Sequence, residues 1–282
     1  MSGSKYEYQF TELNPKQPEF VLATSDYRKR VLSGHSLAHF YQFKAEYNKM
    51  GVIPDACVDI LFWKKGGKLN AKIAGSRLGK GDVDAELDCE YFGVRFMPGI
   101  NPVKDIIKLS ELINKEENFE DMVRSSDERE RLMENIYFAD TFEDKIKIFM
   151  DYYARCHDEQ DEDRNSLKYV LQKKICNENG SLKLDALSSY TGYSERYLNI
   201  KIHEYFGLSP KNLIRIIRFQ KAVGNLTGTI TDINYVDTAI ESGYYDQSHF
   251  NKEFRNFSGA TPTNYISNLL YHSYHKKLHV VT

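Results

Sequence analysis

The sequence lacks any long apolar run, and this absence limits what the chain can be. No stretch of about 18 or more consecutive apolar residues occurs among the 282 residues, so no membrane-spanning helix is expected. Residues 1–6 contain no apolar signal core, which favours a cytoplasmic protein. A content of 41% hydrophobic and 28% charged residues is typical of a soluble, folded chain, and the length suits two domains.

Cysteines are few, and none is spaced for a shared role. The four cysteines show no CxxC pair and no zinc spacing, which indicates reduced thiols. Cys57 lies in an apolar run, where an inert buried thiol is the first interpretation and a sensor thiol the alternative. The sequence also lacks a glycine-rich phosphate loop, a nucleophile elbow and a carboxylate pair. We therefore predict no enzyme, no catalytic residue and no cofactor.

The spacing of the histidines does not favour a metal site. His35 and His39 are four apart, but they border a strand-like run, where that spacing separates side chains by about 13 Å. No further ligands follow at a suitable spacing, so no metal is predicted. His272, His275 and His279 lie in an aromatic C-terminal tail, which we interpret as a frayed helix end.

Charge is divided unequally along the chain, whose net charge is −2. Residues 166–282 contain 14 Lys and Arg against 9 Asp and Glu, a net charge of +5, whereas residues 1–165 contain 24 against 31, a net charge of −7. A basic part can lie on phosphate, and an acidic part is repelled by it. The asymmetry predicts different partners for the two parts.

The segment 158–165 has no apolar side chain and predicts a linker. A solvated helix end is the alternative. The linker divides the chain into an N-terminal sensor or assembly domain, 1–157, and a C-terminal domain, 166–282.

The N-terminal domain is predicted to be β-rich to about residue 100 and helical afterwards. Short runs at 37–43, 57–63 and 91–96 have strand patterns and are bounded by glycine or proline turns. From 102 to 157, apolar residues recur three and four apart, which predicts helices that pack on the sheet or pair two subunits. The fold class is therefore α+β, with a small β-barrel or sandwich followed by helices and an all-helical C-terminal domain.

An internal repeat with a period of about 52 residues occupies the C-terminal domain. Each copy consists of a helical segment, a short turn containing glycine, and a second helical segment. The second turn has one extra residue, so the offset is 51 before the turns and 52 after them. The matched pairs after the turns are Ser194 and Asp246, Leu198 and Phe250, Ile202 and Phe254, and Pro210 and Pro262.

Each repeated feature has a structural role in a helix-turn-helix arrangement. Glycine permits the left-handed backbone that ends the first helix sharply. Ser194 and Asp246 can cap the second helix by accepting backbone N–H groups. Apolar residues four apart face inward, and the polar outer face offers Arg, Asn and Gln, which can hydrogen-bond to base edges. This pattern predicts two helix-turn-helix units; a helical repeat used for protein contact is the alternative.

The repeat resembles the AraC/XylS family of bacterial transcription regulators over about 168–268. The signature is the run 246–250, preceded by Ala239 and Gly243 and followed by Phe254 and the pair 261–262. The resemblance implies seven helices, with a long helix at about 210–226 joining the two units. It implies reading helices at 194–206 and 246–257. The residues that match base-contacting positions of the family are Arg196, Asn199, Ile200, Gln247, Ser248, Asn251 and Lys252.

Position 200 departs from the arginine that some family members have there. The implied partners are double-stranded DNA and RNA polymerase, with no membrane. We add four predicted phosphate contacts, Lys201, Arg215, Arg218 and Arg255. For Arg215 and Arg218, which lie in the connecting helix, a structural role is the alternative.

The N-terminal domain resembles, more loosely, the cupin-like β-barrel sensor regions found in that group, on the runs 54–62 and 93–99. This implies control by a small-molecule effector. The predicted effector pocket contains Asp59, Trp63 and Arg95. A charge inside an apolar run needs a partner, so Asp59 and Arg95 are either a structural ion pair or a ligand-binding pair. The competing prediction is that this domain serves only dimerisation or contact with a protein partner.

Overall fold

The computed structural model describes residues 13–31, 37–104, 106–156, 166–178, 182–228 and 233–281. The predicted linker, 158–165, and His35 lie outside these residues, so the predicted domain boundaries stay a prediction. No helix in the described ranges is both long enough and apolar enough to cross a membrane.

The N-terminal part is built mainly from short strands. A helical turn, α1 (Pro18–Leu22), precedes them. The strands are β1 (Thr24–Val31), β2 (Leu37–Ala45), β3 (Lys49–Val52), β4 (Val58–Lys65), β5 (Lys68–Ala74), β6 (Gly81–Asp84), β7 (Glu90–Phe96) and β8 (Glu116–Asn118). With the C-terminal strand β9 (His279–Val281), seven of them form one sheet in the order β8-β5-β4-β7-β2-β1-β9, and β3 pairs with β6 separately.

The centre of the sheet is fixed by local sequence. β4 and β5 form an antiparallel hairpin in which Lys65 pairs with Lys68. Gly66 and Gly67 have φ values of 59° and 76°, as a two-residue turn with left-handed central residues requires. β7 lies between β4 and β2, and all its residues except Glu90 are buried, as expected for a strand covered on both faces.

Helices cover one face of this sheet. They are α2 (Leu109–Leu112), α3 (Ser126–Phe138) and α4 (Phe142–Cys156). Phe149 of α4 is fully buried, and its ring lies 6.0 Å from Phe40 and 6.2 Å from Phe62. The predicted helical region 102–157 therefore exists, but it also contains β8, which extends the sheet by pairing with β5.

The C-terminal part contains seven helices in sequence within the described residues, as the resemblance implied. They are α5 (Leu167–Asn177), α6 (Leu184–Thr191), α7 (Glu195–Phe206), α8 (Pro210–Gly228), α9 (Tyr235–Glu241), α10 (Gln247–Ser258) and α11 (Pro262–Tyr271). A four-residue helix, α12 (Tyr274–Lys277), and β9 follow. The predicted fold class, a sheet-rich part with helices followed by a helical part, is confirmed.

The interpretation of the C-terminal tail as a frayed helix end is wrong. β9 runs parallel to β1, with Val280 opposite Lys29. The ammonium group of Lys277 donates to the backbone oxygens of Leu22 and Thr24 at 3.0 and 2.9 Å. Without β9, β1 would be an edge strand with unpaired backbone groups, and the tail supplies their partners.

Gln220, in the middle of α8, joins the helical part to the N-terminal part. Its side chain is 1% exposed. The amide oxygen accepts from the backbone N–H of Lys16 at 2.8 Å, and the amide nitrogen donates to the backbone oxygens of Lys16 and Pro54 at 3.2 and 2.7 Å. A buried amide needs such partners. Gln220 therefore fixes the positions of residues 16 and 54 relative to α8.

Candidate functional site

The first helix-turn-helix unit consists of α6 and α7. Gly192 ends α6 with φ 75°, and its N–H donates to the carbonyl oxygen of Ser188 at 2.9 Å. The hydroxyl of Ser194 accepts from the N–H of Tyr197 at 3.3 Å and caps α7. These are the roles that the sequence predicted for the glycine and the serine.

The second unit consists of α9 and α10, and its turn is one residue longer. Gly243 has φ 83°, its N–H donates to Ile240, and the N–H of Tyr244 donates to Ala239, both at 2.9 Å. This pair of bonds is a Schellman motif, which the left-handed glycine makes possible. The carboxylate of Asp246 accepts from the N–H of His249 at 2.7 Å and caps α10.

The inner faces of α7 and α10 are fully buried, as their spacing predicted. Leu198 and Ile202 of α7, and Phe250 and Phe254 of α10, are each 0% exposed. Phe254 packs edge-on against Phe219 of α8, with ring centroids 5.2 Å apart. Because both inner faces are anchored in the core, the opposite faces are held outward in fixed orientations.

The structure brings all seven predicted base-contacting residues to these outer faces, and all seven are exposed. They are Arg196, Asn199, Ile200, Gln247, Ser248, Asn251 and Lys252. Ile200 is 57% exposed. The amide of Asn199 donates to the carbonyl oxygen of Glu195 at 2.9 Å, so this amide must turn away from its own helix to reach a base.

The four predicted phosphate contacts separate into two pairs. Arg255 of α10 is exposed. The ammonium group of Lys201 on α7 donates a hydrogen bond to the carboxylate of Glu204 at 2.8 Å, and this bond raises the pKa of Lys201. Arg215 and Arg218 of α8 instead point inward to the carboxylate of a residue on α10. Their position favours the structural alternative over phosphate contact.

That carboxylate belongs to Glu253, which the sequence reasoning missed. It is 6% exposed and accepts from Nε of Arg215 at 2.6 Å. A signal was present, because an acidic residue stands within the apolar stripe of α10, directly before Phe254. Such a residue needs a cationic partner, and the connecting helix offers two.

In the N-terminal part, Asp59 and Arg95 form a bidentate ion pair. Nε and Nη2 of Arg95 donate to the two oxygens of Asp59, each at 2.8 Å, and Nη1 lies 3.1 Å from Asp55. The hydroxyl of Tyr41 donates to Asp59 at 3.1 Å. Burial disfavours the charge on Arg95, but Asp59 and Asp55 more than offset it and raise the pKa of Arg95 well above its ordinary value.

These charged groups line a narrow cleft between the two sheets. The cleft contains about 590 Å³ of open space including its mouth. Lys72 and Arg77 also line it and pair with Glu116 at 2.8 and 3.6 Å. The lining thus combines paired charges with apolar side chains, a composition common in small-molecule sites.

Two further predicted residues have defined places near this cleft. Trp63 lies outside the lining and stacks on Tyr91, which is part of it, at 5.6 Å between ring centroids. Cys57 lines the cleft, and burial raises the pKa of its thiol well above the ordinary value. A thiol in this state has little thiolate character, which favours the inert interpretation. No group of three or more potential metal ligands occurs in the described part of the chain.

Comparison with known families gives one domain match. Residues 187–268 match the family described as "Helix-turn-helix domain". This range contains both turns, α7, α8 and α10, and it lies within 168–268, where the signature was recognised.

Two relatives match part of the chain. The F1 operon positive regulatory protein of Yersinia pestis is 30% identical over 101 residues, which are 36% of this chain and 32% of that protein. An uncharacterized HTH-type transcriptional regulator of Staphylococcus aureus (strain MSSA476) is 32% identical over 84 residues, which are 30% of this chain and 11% of that protein. The chain therefore covers well under two thirds of either relative.

A solved structure of ToxT from Vibrio cholerae aligns with 83% of this chain and 98% of its own, at 13% identity and a TM-score of 0.41. At this TM-score the likeness carries no conclusion about this chain.

Proposed function

We propose that this chain, whose residues 187–268 form an AraC-type helix-turn-helix domain, is a sequence-specific DNA-binding regulator of transcription. The observation that carries the proposal is the duplication: two capped helices, α7 and α10, each with a buried apolar face and an exposed polar face. The relatives are named as regulators, and we assign no catalytic residue.

The two outer faces suit base reading in successive major grooves. Two units on one helix can enter grooves about one turn, or 34 Å, apart. We therefore expect an asymmetric DNA site with two boxes about ten base pairs apart, centre to centre. Gln247 and Asn251 have amide groups suited to adenine, and Arg196 has a guanidinium suited to guanine. Lys201 and Arg255 are the proposed phosphate contacts.

Replacing Gln247 or Asn251 by alanine is expected to cost about 1–3 kcal/mol of binding free energy at one box, because an amide pair to a base is lost. Ile200→Ala should cost less than Arg196→Ala, since isoleucine can at most touch a thymine methyl group or exclude water. Ile200→Arg should add a guanine preference. Binding titrations with the full chain, on duplexes altered one base pair at a time, measure these effects. Uniform weakening on all duplexes would show that these residues do not read bases.

For the N-terminal part we propose a regulatory role, with an effector bound in the cleft that Asp59 and Arg95 line. The support is the cleft's mixed lining and its connection through residue 54 to Gln220 of α8. A thermal-shift screen of the full chain with small metabolites tests this: a shift of several degrees at millimolar ligand supports an effector. No shift with any ligand, together with a concentration-dependent dimer, would favour the assembly role. RNA polymerase and a second copy of the chain are the other proposed partners.

A further inference from the structure

We propose that Glu253 is a positioning residue that sets the orientation of α10, and with it the base preference of the second box, without touching DNA. The proposal rests on the proposed function, since it concerns how one helix-turn-helix unit reads its site. It assigns Arg215 and Arg218 to the same task and removes them from the phosphate contacts.

The first support is where the carboxylate lies. Glu253 is 6% exposed and stands between Phe250 and Phe254, which are 0% exposed. A buried charge is costly unless it is paired, and an apolar residue at such a position is often at least as stabilising. A buried charge pair fixes geometry more narrowly than an apolar contact, because its energy depends on the direction of its hydrogen bonds.

The second support is what the carboxylate contacts. It accepts from Nε of Arg215 at 2.6 Å, and Nη1 of Arg218 lies 3.9 Å away. Each guanidinium also lies over an aromatic ring, Arg215 over Phe257 at 5.0 Å and Arg218 over Tyr244 at 5.4 Å. The carboxylate on α10 is thus hydrogen-bonded to one arginine of α8 and lies beside the guanidinium of a second, and each arginine packs over an aromatic ring. The contact restricts rotation of α10 about its own axis.

A small rotation of α10 is enough to spoil reading. Side-chain ends lie about 5–6 Å from a helix axis, so a rotation of 10–20° moves them by about 1–2 Å. Polar recognition tolerates only about 0.5 Å. By helical spacing, Asn251 lies about 160° and Gln247 about 120° around α10 from Glu253. Their amides would leave the base edges before the helix lost its core packing.

The first unit lacks this device. The position equivalent to 253, at the offset of 52, is Lys201, whose partner Glu204 is half exposed on the same helix. α7 therefore has no salt bridge to α8 from this position. The effect of Glu253 should be confined to the second box. This difference supplies a matched control within the same chain.

The test compares base preferences of the full chain and its variants on the two boxes. Glu253→Gln should reduce discrimination at the second box by about tenfold, the value of one good base contact, and leave the first box unchanged. Arg215→Gln should produce the same change, although it lies on another helix, and the double variant should lose no more than either single one. Glu204→Gln, the control in the first unit, should keep both preferences. Circular dichroism confirms that each variant is folded.

Salt dependence separates positioning from phosphate binding. A lost phosphate contact lowers the slope of log K against log salt by about 0.9 and weakens binding to all sequences alike. We expect no change of slope in Arg215→Gln. An unchanged base preference in Arg215→Gln and Glu253→Gln, or a lowered slope with unchanged preference, would overturn the proposal. A wild-type chain without any preferred sequence would instead refute the proposed function, and this role of Glu253 with it.

Discussion

Replacing Arg95 by alanine is expected to cost about 3–5 kcal/mol of folding free energy, because it leaves buried carboxylates without their cation. Arg95 is held by Asp59 through two bonds of 2.8 Å and by Asp55 at 3.1 Å. Urea unfolding of the full chain at neutral pH measures the loss. An exposed pair of similar geometry, Arg155 with Glu128, is the control: Arg155→Ala should cost far less, since water screens that pair.

The cost of Arg95→Ala should shrink as the pH falls. Burial raises the pKa of Asp59, and Arg95 opposes that rise. Without Arg95 the pKa of Asp59 rises further, so the folded variant takes up a proton more readily than the wild type. Its deficit is then largest above the raised pKa of Asp59 and is progressively relieved as the pH falls through that pKa. An Arg95→Ala chain as stable as the wild type at neutral pH would contradict the structural role and favour Arg95 as a ligand contact.

Replacing Gly207 by alanine is expected to separate the first helix-turn-helix unit from the N-terminal part. Gly207 ends α7 with φ 71°, and a Cβ there would lie 2.6 Å from backbone atoms of Leu109 and Ser110 in α2. The left-handed backbone costs about 1–2 kcal/mol for alanine. Displacing a packed backbone adds about 1–3 kcal/mol.

Gly192 is the matched control for Gly207. It has φ 75° and ends α6, but no atom lies within 4 Å of the Cβ that alanine would add. Gly192→Ala should therefore show only the backbone cost of about 1–2 kcal/mol. Urea unfolding of both variants measures the difference. Equal losses in the two would mean that the contact between α7 and α2 contributes no stability.

The sequence was sufficient where the determining contacts are close along the chain. Gly192, Ser194 and Asp246 act within a few residues of themselves, and the inward residues Leu198 and Phe250 follow from helical spacing. The repeat added independent weight, because the same roles recur at a fixed offset. These features predicted both units and the exposure of the outer faces.

The sequence was insufficient where the determining contacts are distant. β9 pairs with β1 from the opposite end of the chain, and no local pattern records such a partner. Gln220 is a polar residue in an apolar stripe, and its partners, the backbone of residues 16 and 54, cannot be inferred from spacing. The placement of Trp63 outside the cleft lining likewise depends on the pairing of β4 with β7, which sets Trp63 opposite Tyr91. The sequence predicts only a strand at 57–63.

Selection of binding sites from a pool of random DNA duplexes, with the full wild-type chain, tests most directly whether α7 and α10 both read DNA. We expect enrichment of an asymmetric site with two boxes about ten base pairs apart, one read by α7 and one by α10. Enrichment of a single undivided box, or of no sequence at all, would contradict the conclusion that both helices read DNA.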